Sequence, residues 1–369
     1  MQLARATIFA SALTSVGLIG SSAFASPLTP GDLLVYQVGN GTSTSLSGTS
    51  APAFLDEYTT GGALVEQIAV PSTSVAGGNQ ALTESGSASS DGLLTLSPNG
   101  QCVTFTGYDT AVGTASVVSS TVNRTVGIIG QDGVVNTSTA ASIDLGNNIR
   151  SAVTTNGQQL WTAGAGGGVN SLTAGSSNAT ATPVESTSAR QVTVFNNQLY
   201  FDTSSALSSL GTGLPTSSAT AMALPGVSTG GNPYGFLFES LNPADHGAAD
   251  TLYIADDSSG VVKYSLVSGT WVKTGSVGSG TNGFTDLTAQ VVNDVVDLYA
   301  ISNDNQLVAL TDSSGYDGTF ASSITTLVTA DSHETFNGVA DAPVPLPPGL
   351  PLFLSGLVGL ALIQRRRAA

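Results

Sequence analysis

Asn293-Asp294-Val295-Val296-Asp297-Leu298-Tyr299-Ala300 joins a two-residue turn to a strand. The Asn-Asp pair tolerates the left-handed backbone of a tight hairpin, and the residues after it are β-formers with an aromatic among them. The arrangement recurs. Ser97-Pro98-Asn99-Gly100 leads into residues 101–105, Thr155-Asn156-Gly157 into 158–163, Asn196-Asn197 into 198–201, and Ala249-Asp250 into 251–255. The aromatic of each copy (Phe105, Trp161, Tyr200, Tyr253, Tyr299) follows the previous one by 56, 39, 53 and 46 residues. This imperfect period fits the four-stranded blades of a β-propeller, which repeat at roughly 40–50 residues. A blade of about 45 residues predicts seven blades across residues 26–341.

Working outward, Leu33-Leu34-Val35-Tyr36-Gln37-Val38 and Ala63-Leu64-Val65-Glu66-Gln67-Ile68 read as strands without a preceding turn motif. They are placed to complete a blade begun at the other end of the chain, a closure that removes free sheet edges. Val267-Ser268-Gly269 reads as a hairpin loop between two further strands. Lys263 and Lys273, on those strands, are expected to point outward and blunt an outer edge. A right-handed β-helix or a pair of sandwiches is the runner-up; coils of a β-helix would recur more often than every 40 residues.

Composition agrees with an all-β body. Of 369 residues 44 are Gly and only 9% are charged, which excludes a helical bundle or coiled coil, and a 41% hydrophobic share argues against disorder. Nine bases face 25 acids; between the ends only Arg124, Arg150, Arg190, Lys263 and Lys273 are basic. Such a body repels phosphate backbones, so nucleic acid is not an expected partner.

The ends read as addresses. Arg5, an apolar run over residues 6–20 and Ala23-Phe24-Ala25 form a secretory signal with an A-x-A cleavage site, so a signal peptide is expected over residues 1–25. Residues 342–369 begin Ala342-Pro343-Val344-Pro345-Leu346-Pro347-Pro348, continue through 15 uncharged residues at 349–363, and end on Arg365, Arg366 and Arg367. As a helix those 15 residues span about 22 Å, short for a hydrocarbon core of about 30 Å, and the Arg cluster would stay on the cytoplasmic side. This geometry alone also suits a plain single-pass anchor.

Motif, apolar helix and Arg cluster in that order resemble the sorting tail of PEP-CTERM proteins. Val344-Pro345-Leu346-Pro347 matches the VPLPA variant, with Pro348 where the variant has Ala. The resemblance implies processing by an exosortase, transient inner-membrane anchoring, a Gram-negative bacterium that makes exopolysaccharide, and a destination at the outer surface or beyond. The body also resembles secreted β-propeller-like proteins through GDLLVYQVGNGTSTSLSGTSAPAFLDEYT, NNIRSAVTTNGQQLWTAGAGGG, GTGLPT and DTLYIADDSSGVVKYSL. That likeness brings no activity with it.

Catalytic signatures are scarce. His246 and His333 lie in loop-like sequence, Cys102 lies in a strand, and no G-x-S-x-G elbow appears. The Gly164-Ala165-Gly166-Gly167-Gly168 run lacks the Lys-Ser/Thr of a phosphate loop and reads as a turn. No cofactor is required; calcium is the one metal that the turn carboxylates Asp256, Asp257 and Asp304 would suit, although turn-forming Asp explains them without it. Arg124, Arg150 and Arg190 each precede a strand. If each opens a blade, they either tie neighbouring blades through carbonyl and carboxylate bonds or form an anion or sugar-acid site at the channel mouth. The expectation is an exported surface or matrix protein acting by binding or structure, with a secreted hydrolase or lyase acting on polysaccharide or ester, calcium-assisted or not, as the alternative.

Overall fold

The computed structural model describes residues 25–42, 45–227, 231–278 and 283–345. Six four-stranded antiparallel sheets stand around a central channel as the blades of a propeller. From the channel outward the strand order in five of them follows the chain. Their innermost strands are Thr95–Leu96, Ile149–Thr154, Val192–Phe195, Pro233–Glu239 and Phe284–Val292. The remaining blade draws its innermost strand, Thr335–Asp341, from the far end of the chain and pairs it with Leu33–Val38, followed by Ala53–Tyr58 and Leu64–Ala69. Counting this closing blade as the first, the others are the second to sixth in chain order. Inner strands begin on what we term the upper face and end on the lower face.

The ring therefore has six blades, where dividing length by period predicts seven. Each of the five aromatic repeats lies on the second strand of a blade, and the first, closing blade has its equivalent in Tyr36. That blade cannot carry the turn motif, because its first two strands come from opposite ends of the chain. The extra length lies between residues 39 and 52 and between 70 and 94. There Ser50–Ala51 pairs with Glu84–Ser85 in a small separate sheet instead of building a blade. The turns themselves are as read: Asn196, Asn197, Asn293 and Asp294 all have positive φ, as do Gly100 and Gly157. The Ala249-Asp250 copy differs, since a longer loop with the 3-10 turn Pro243–Asp245 precedes it.

Alternation along the strands sends apolar side chains into both neighbouring interfaces, because the faces of each blade look at its neighbours. Leu34 and Tyr36 pack with Val103 and Phe105 of the second blade, while Leu33 and Val35 pack with Tyr299 and Ile301 of the sixth. Six hydrophobic clusters among the described residues fill the six interfaces in this way. Lys273 is exposed on an outer strand, as expected, but Lys263 is not. It is fully buried, its ammonium 2.8 Å from the Asp312 carboxylate. Its strand, Gly260–Val267, is covered by the outermost strand Thr270–Val277 and has no free edge to guard, and only pairing makes a buried Lys tolerable there.

Residues 1–24 of the signal segment, Leu346, Pro347, the three terminal Arg and both expected terminal helices lie outside the described residues, while Ala25 of the expected cleavage site is exposed. Among the described residues no helix is long and apolar enough to cross a membrane. The parts of the ends that are described meet on the lower face of the second blade. Leu28 donates its N–H to Gln131 O at 2.8 Å, and Val344 donates to Gly100 O at 2.7 Å.

Candidate functional site

The inner strands leave their backbone edges toward the channel, and a few buried side chains on them, here termed the plug, bridge one blade to another. Ser151 Oγ donates to Arg190 O at 2.9 Å and accepts from Val192 N at 3.0 Å, tying the third blade to the fourth. Gln191, one position further along the fourth blade, accepts the N–H of Phe236 in the fifth. Asp286 of the sixth blade reaches furthest, its Oδ2 accepting from Leu94 N at 2.9 Å and Val339 N at 3.0 Å. One carboxyl thus joins three blades. Burial pushes it up to about 8, against the pull of those backbone N–H groups. Glycine is required beside it: a Cβ at Gly235 would lie 2.8 Å from Asp286 Oδ1, and one at Gly338 3.0 Å from Oδ2.

Above this plug, Arg150 and Arg190 occupy matching positions at the start of adjacent inner strands. Arg150 donates from Nε to Ser90 Oγ at 3.3 Å, and from Nη1 to Ala189 O at 3.0 Å and Ser188 Oγ at 3.2 Å. Arg190 donates to Pro233 O and, at 2.7 Å, to Asn232 Oδ1, with its guanidinium 3.9 Å above the Tyr234 ring. Both therefore bridge blades. Neither touches a carboxylate: among the described residues the only ion pair is Lys263–Asp312. Burial lowers the Arg150 pKa, Asp91 opposes this, and the positive charge of Arg190 adds to it. Asp91 lies beneath, receiving the Tyr108 hydroxyl at 2.7 Å, and burial raises it to about 6. Burial and the neighbouring Asp91 hold Glu84 well above the usual carboxylate range.

Arg124 sits elsewhere. It begins the third strand of the second blade rather than opening a blade, and is fully buried. Its Nη2 donates to Asp144 O at 2.8 Å and Asn147 O at 2.9 Å, and its guanidinium stands 4.6 Å from the Tyr108 ring centroid. It holds a loop between two blades and is remote in role from the channel. The glycine run at 164–168 is a strand-to-strand turn, its Gly166 and Gly167 N–H groups donating to Asp144.

Asp256 and Asp257 lie in an upper-face turn. Asp256 caps Ser258 and Ser259 N–H, and Asp257 accepts from the side chains of Asn232 and Asn303. Asp304 is exposed next to Asn303. Among the described residues no group of three or more His, Cys, Asp or Glu could hold a metal ion. His246 is exposed and His333 half-buried, each at positive φ in a turn, and Cys102 is buried.

Below the plug the channel opens into a cavity of about 290 Å³. Glu239 and Asp341, at the lower ends of two inner strands, both line it. Neither was singled out from sequence. Each ends an inner strand whose preceding residues are apolar (Phe236-Leu237-Phe238, Gly338-Val339-Ala340), and that shared ending was the available signal.

No family model matches this chain, and no curated protein matches it. Among solved structures it is similar to the periplasmic gluconolactonase of Pseudomonas aeruginosa, at 13% identity and a TM-score of 0.45, covering 81% of this chain and 83% of that one. It is also similar to a candidate 6-phosphogluconolactonase from Bacteroides uniformis, at 14% identity and a TM-score of 0.46, covering 81% and 84%. At these values neither likeness carries an argument about what this chain does.

Proposed function

We propose that this is an exported β-propeller of the cell surface or extracellular matrix that acts by binding, and that its upper mouth takes the carboxylate of a sugar acid within an exopolysaccharide. One observation supports this reading above the others. In a chain with 25 acids and nine bases, two guanidinium groups near enough to repel each other lie at the channel mouth, neither in an ion pair, with the buried carboxyls of Asp91 and Asp202 acting on them only at longer range. Like charges held together at a partly buried position favour an anion between or above them, and a planar guanidinium matches a carboxylate. The lower-face exit of the chain also supports it. An anchor attached beyond Pro345 would leave the upper mouth facing away from the membrane.

Binding of a soluble oligouronate, with a neutral glucan of equal length as control, tests this. Arg150→Gln should weaken oligouronate binding about tenfold or more, the scale of a lost charge-assisted contact. Equal binding of the neutral glucan, or an unchanged Arg150→Gln variant, would refute the assignment.

The second reading is a hydrolase or lyase, and one site favours it. Glu239 is pushed up to about 7 by burial, then by Asp341 and Asp250, and faces a cavity of molecular size. No Ser-His or Cys-His pair accompanies it among the described residues. Turnover of lactone, ester or glycoside substrates that disappears in Glu239→Gln would establish this reading instead.

A further inference from the structure

We infer that the lower cavity is a binding site in its own right for a small aliphatic ammonium compound, held by Glu239 and Asp341. The site does not depend on the upper-mouth reading, from which the Asp286 plug separates it.

Three observations converge. The first is an unbalanced charge. Asp341 is anchored by hydrogen bonds from Thr288 Oγ1 and Gln290 Nε2, each at 2.8 Å, and no Lys, Arg or His lies among the residues lining the cavity. Glu239 faces the same space with no cation beside it. Uncompensated carboxyls in a partly desolvated pocket are costly until a positive group enters. The second is an unused polar group. Thr95 is 4% exposed and lines the cavity; its hydroxyl has no partner and lies closed to solvent within the wall. The third is shape and lining. At about 290 Å³ the cavity suits a compact ligand, and two adjacent inner strands contribute Phe195 and Phe238 to its wall. Aliphatic carbons fit against such a wall while the ammonium reaches the carboxyls, and aromatic rings tolerate a nearby cation.

Charge states set the pH dependence. Glu239 is held up by burial, then Asp341, then Asp250, so it loses its proton only near pH 7; burial also raises Asp341. Asp250, the third acid near Glu239, is buried and occupied by Leu241 N and Asn242 N. A cation should bind more tightly above pH 7 than below it and should displace a proton from Glu239 near neutrality.

Calorimetric titration of the full-length protein with 1,4-diaminobutane, against 1,4-butanediol as the uncharged match, tests the site. Saturable binding of the diamine alone is expected, with proton release near pH 7. Asp341→Asn and Glu239→Gln should each weaken it about tenfold, while Asp304→Asn on the exposed upper face should leave it unchanged. Because a buried carboxyl variant can misfold, Ala289→Phe, which fills the cavity from its wall without altering charge, should also abolish binding. Absence of diamine binding, equal binding of the diol, or equal loss in Asp304→Asn would overturn the inference. The last result would mean only diffuse attraction to an acidic protein.

Discussion

The ammonium of Lys263 and the carboxylate of Asp312 meet 2.8 Å apart, both side chains essentially closed to solvent. They lie on different blades, the fifth and the sixth. Tyr253 donates its hydroxyl to the same carboxylate oxygen at 2.6 Å, and Lys263 also donates to Ser314 Oγ at 3.0 Å. Burial tends to raise the Asp312 pKa, but Lys263, Ser314 and Tyr253 together hold it below the usual value. Lys263→Met should therefore leave a buried, uncompensated carboxylate and lower stability by about 3–5 kcal/mol. The double variant Lys263→Met, Asp312→Leu should recover much of that loss. Urea denaturation of the three proteins checks the ordering.

Stability should fall as the medium turns alkaline. Asp286 is raised to about 8, Glu239 to about 7, and Asp56 and Asp91 to about 6, all mainly by burial. A carboxyl raised in the folded state keeps a proton that the unfolded chain has already lost. Each such group weakens the fold by up to about 1.4 kcal/mol per pH unit between its unfolded and folded values. The melting midpoint should be higher near pH 5.5 than near pH 8.5, and Asp286→Asn should flatten the difference. A midpoint that rises with pH would contradict the account.

Ring closure should be separable from the tail. A chain ending at Pro345 keeps Thr335–Asp341 and its pairing with Leu33–Val38, so it should melt cooperatively near the full-length midpoint. A chain ending at Asp331 loses the inner strand of one blade and bares the edge of Leu33–Val38. It should aggregate or fail to fold. Differential scanning calorimetry of both distinguishes them.

Export and trimming are part of the proposed reading of the two ends. Mass spectrometry of protein released by the native host should find Ser26 as the first residue and the apolar stretch at 349–363 missing. An intact chain retaining Arg365 to Arg367 would defeat the processing proposal while leaving the fold untouched.

The sequence made the tiling legible because each blade spends its strongest local signal on one turn. Asn196-Asn197 and Asn293-Asp294 announce their hairpins through a backbone conformation few other residues accept. The blade count was lost where the signal stops, at the blade whose first turn is replaced by the chain ends. The site was far less legible. Arg150 and Arg190 stood out as rare bases, yet nothing local separated them from Arg124, whose neighbours in space come from a loop some 20 residues on. Asp286 looks like an ordinary turn-former in Phe284-Thr285-Asp286-Leu287, and only the ring brings Leu94 and Val339 to it. Lys263 was misread for the same reason, its partner being 49 positions away.

The closing ladder has a mechanical side. Its last strand runs along the channel axis and hands the chain to the lower face beyond Asp341, whose register partner Leu33 sits at the same end. A tug on the tail away from that face would pull along the ladder, loading its six pairings together in shear instead of unzipping them in turn. A body fastened in this way resists being dragged open by whatever holds its end.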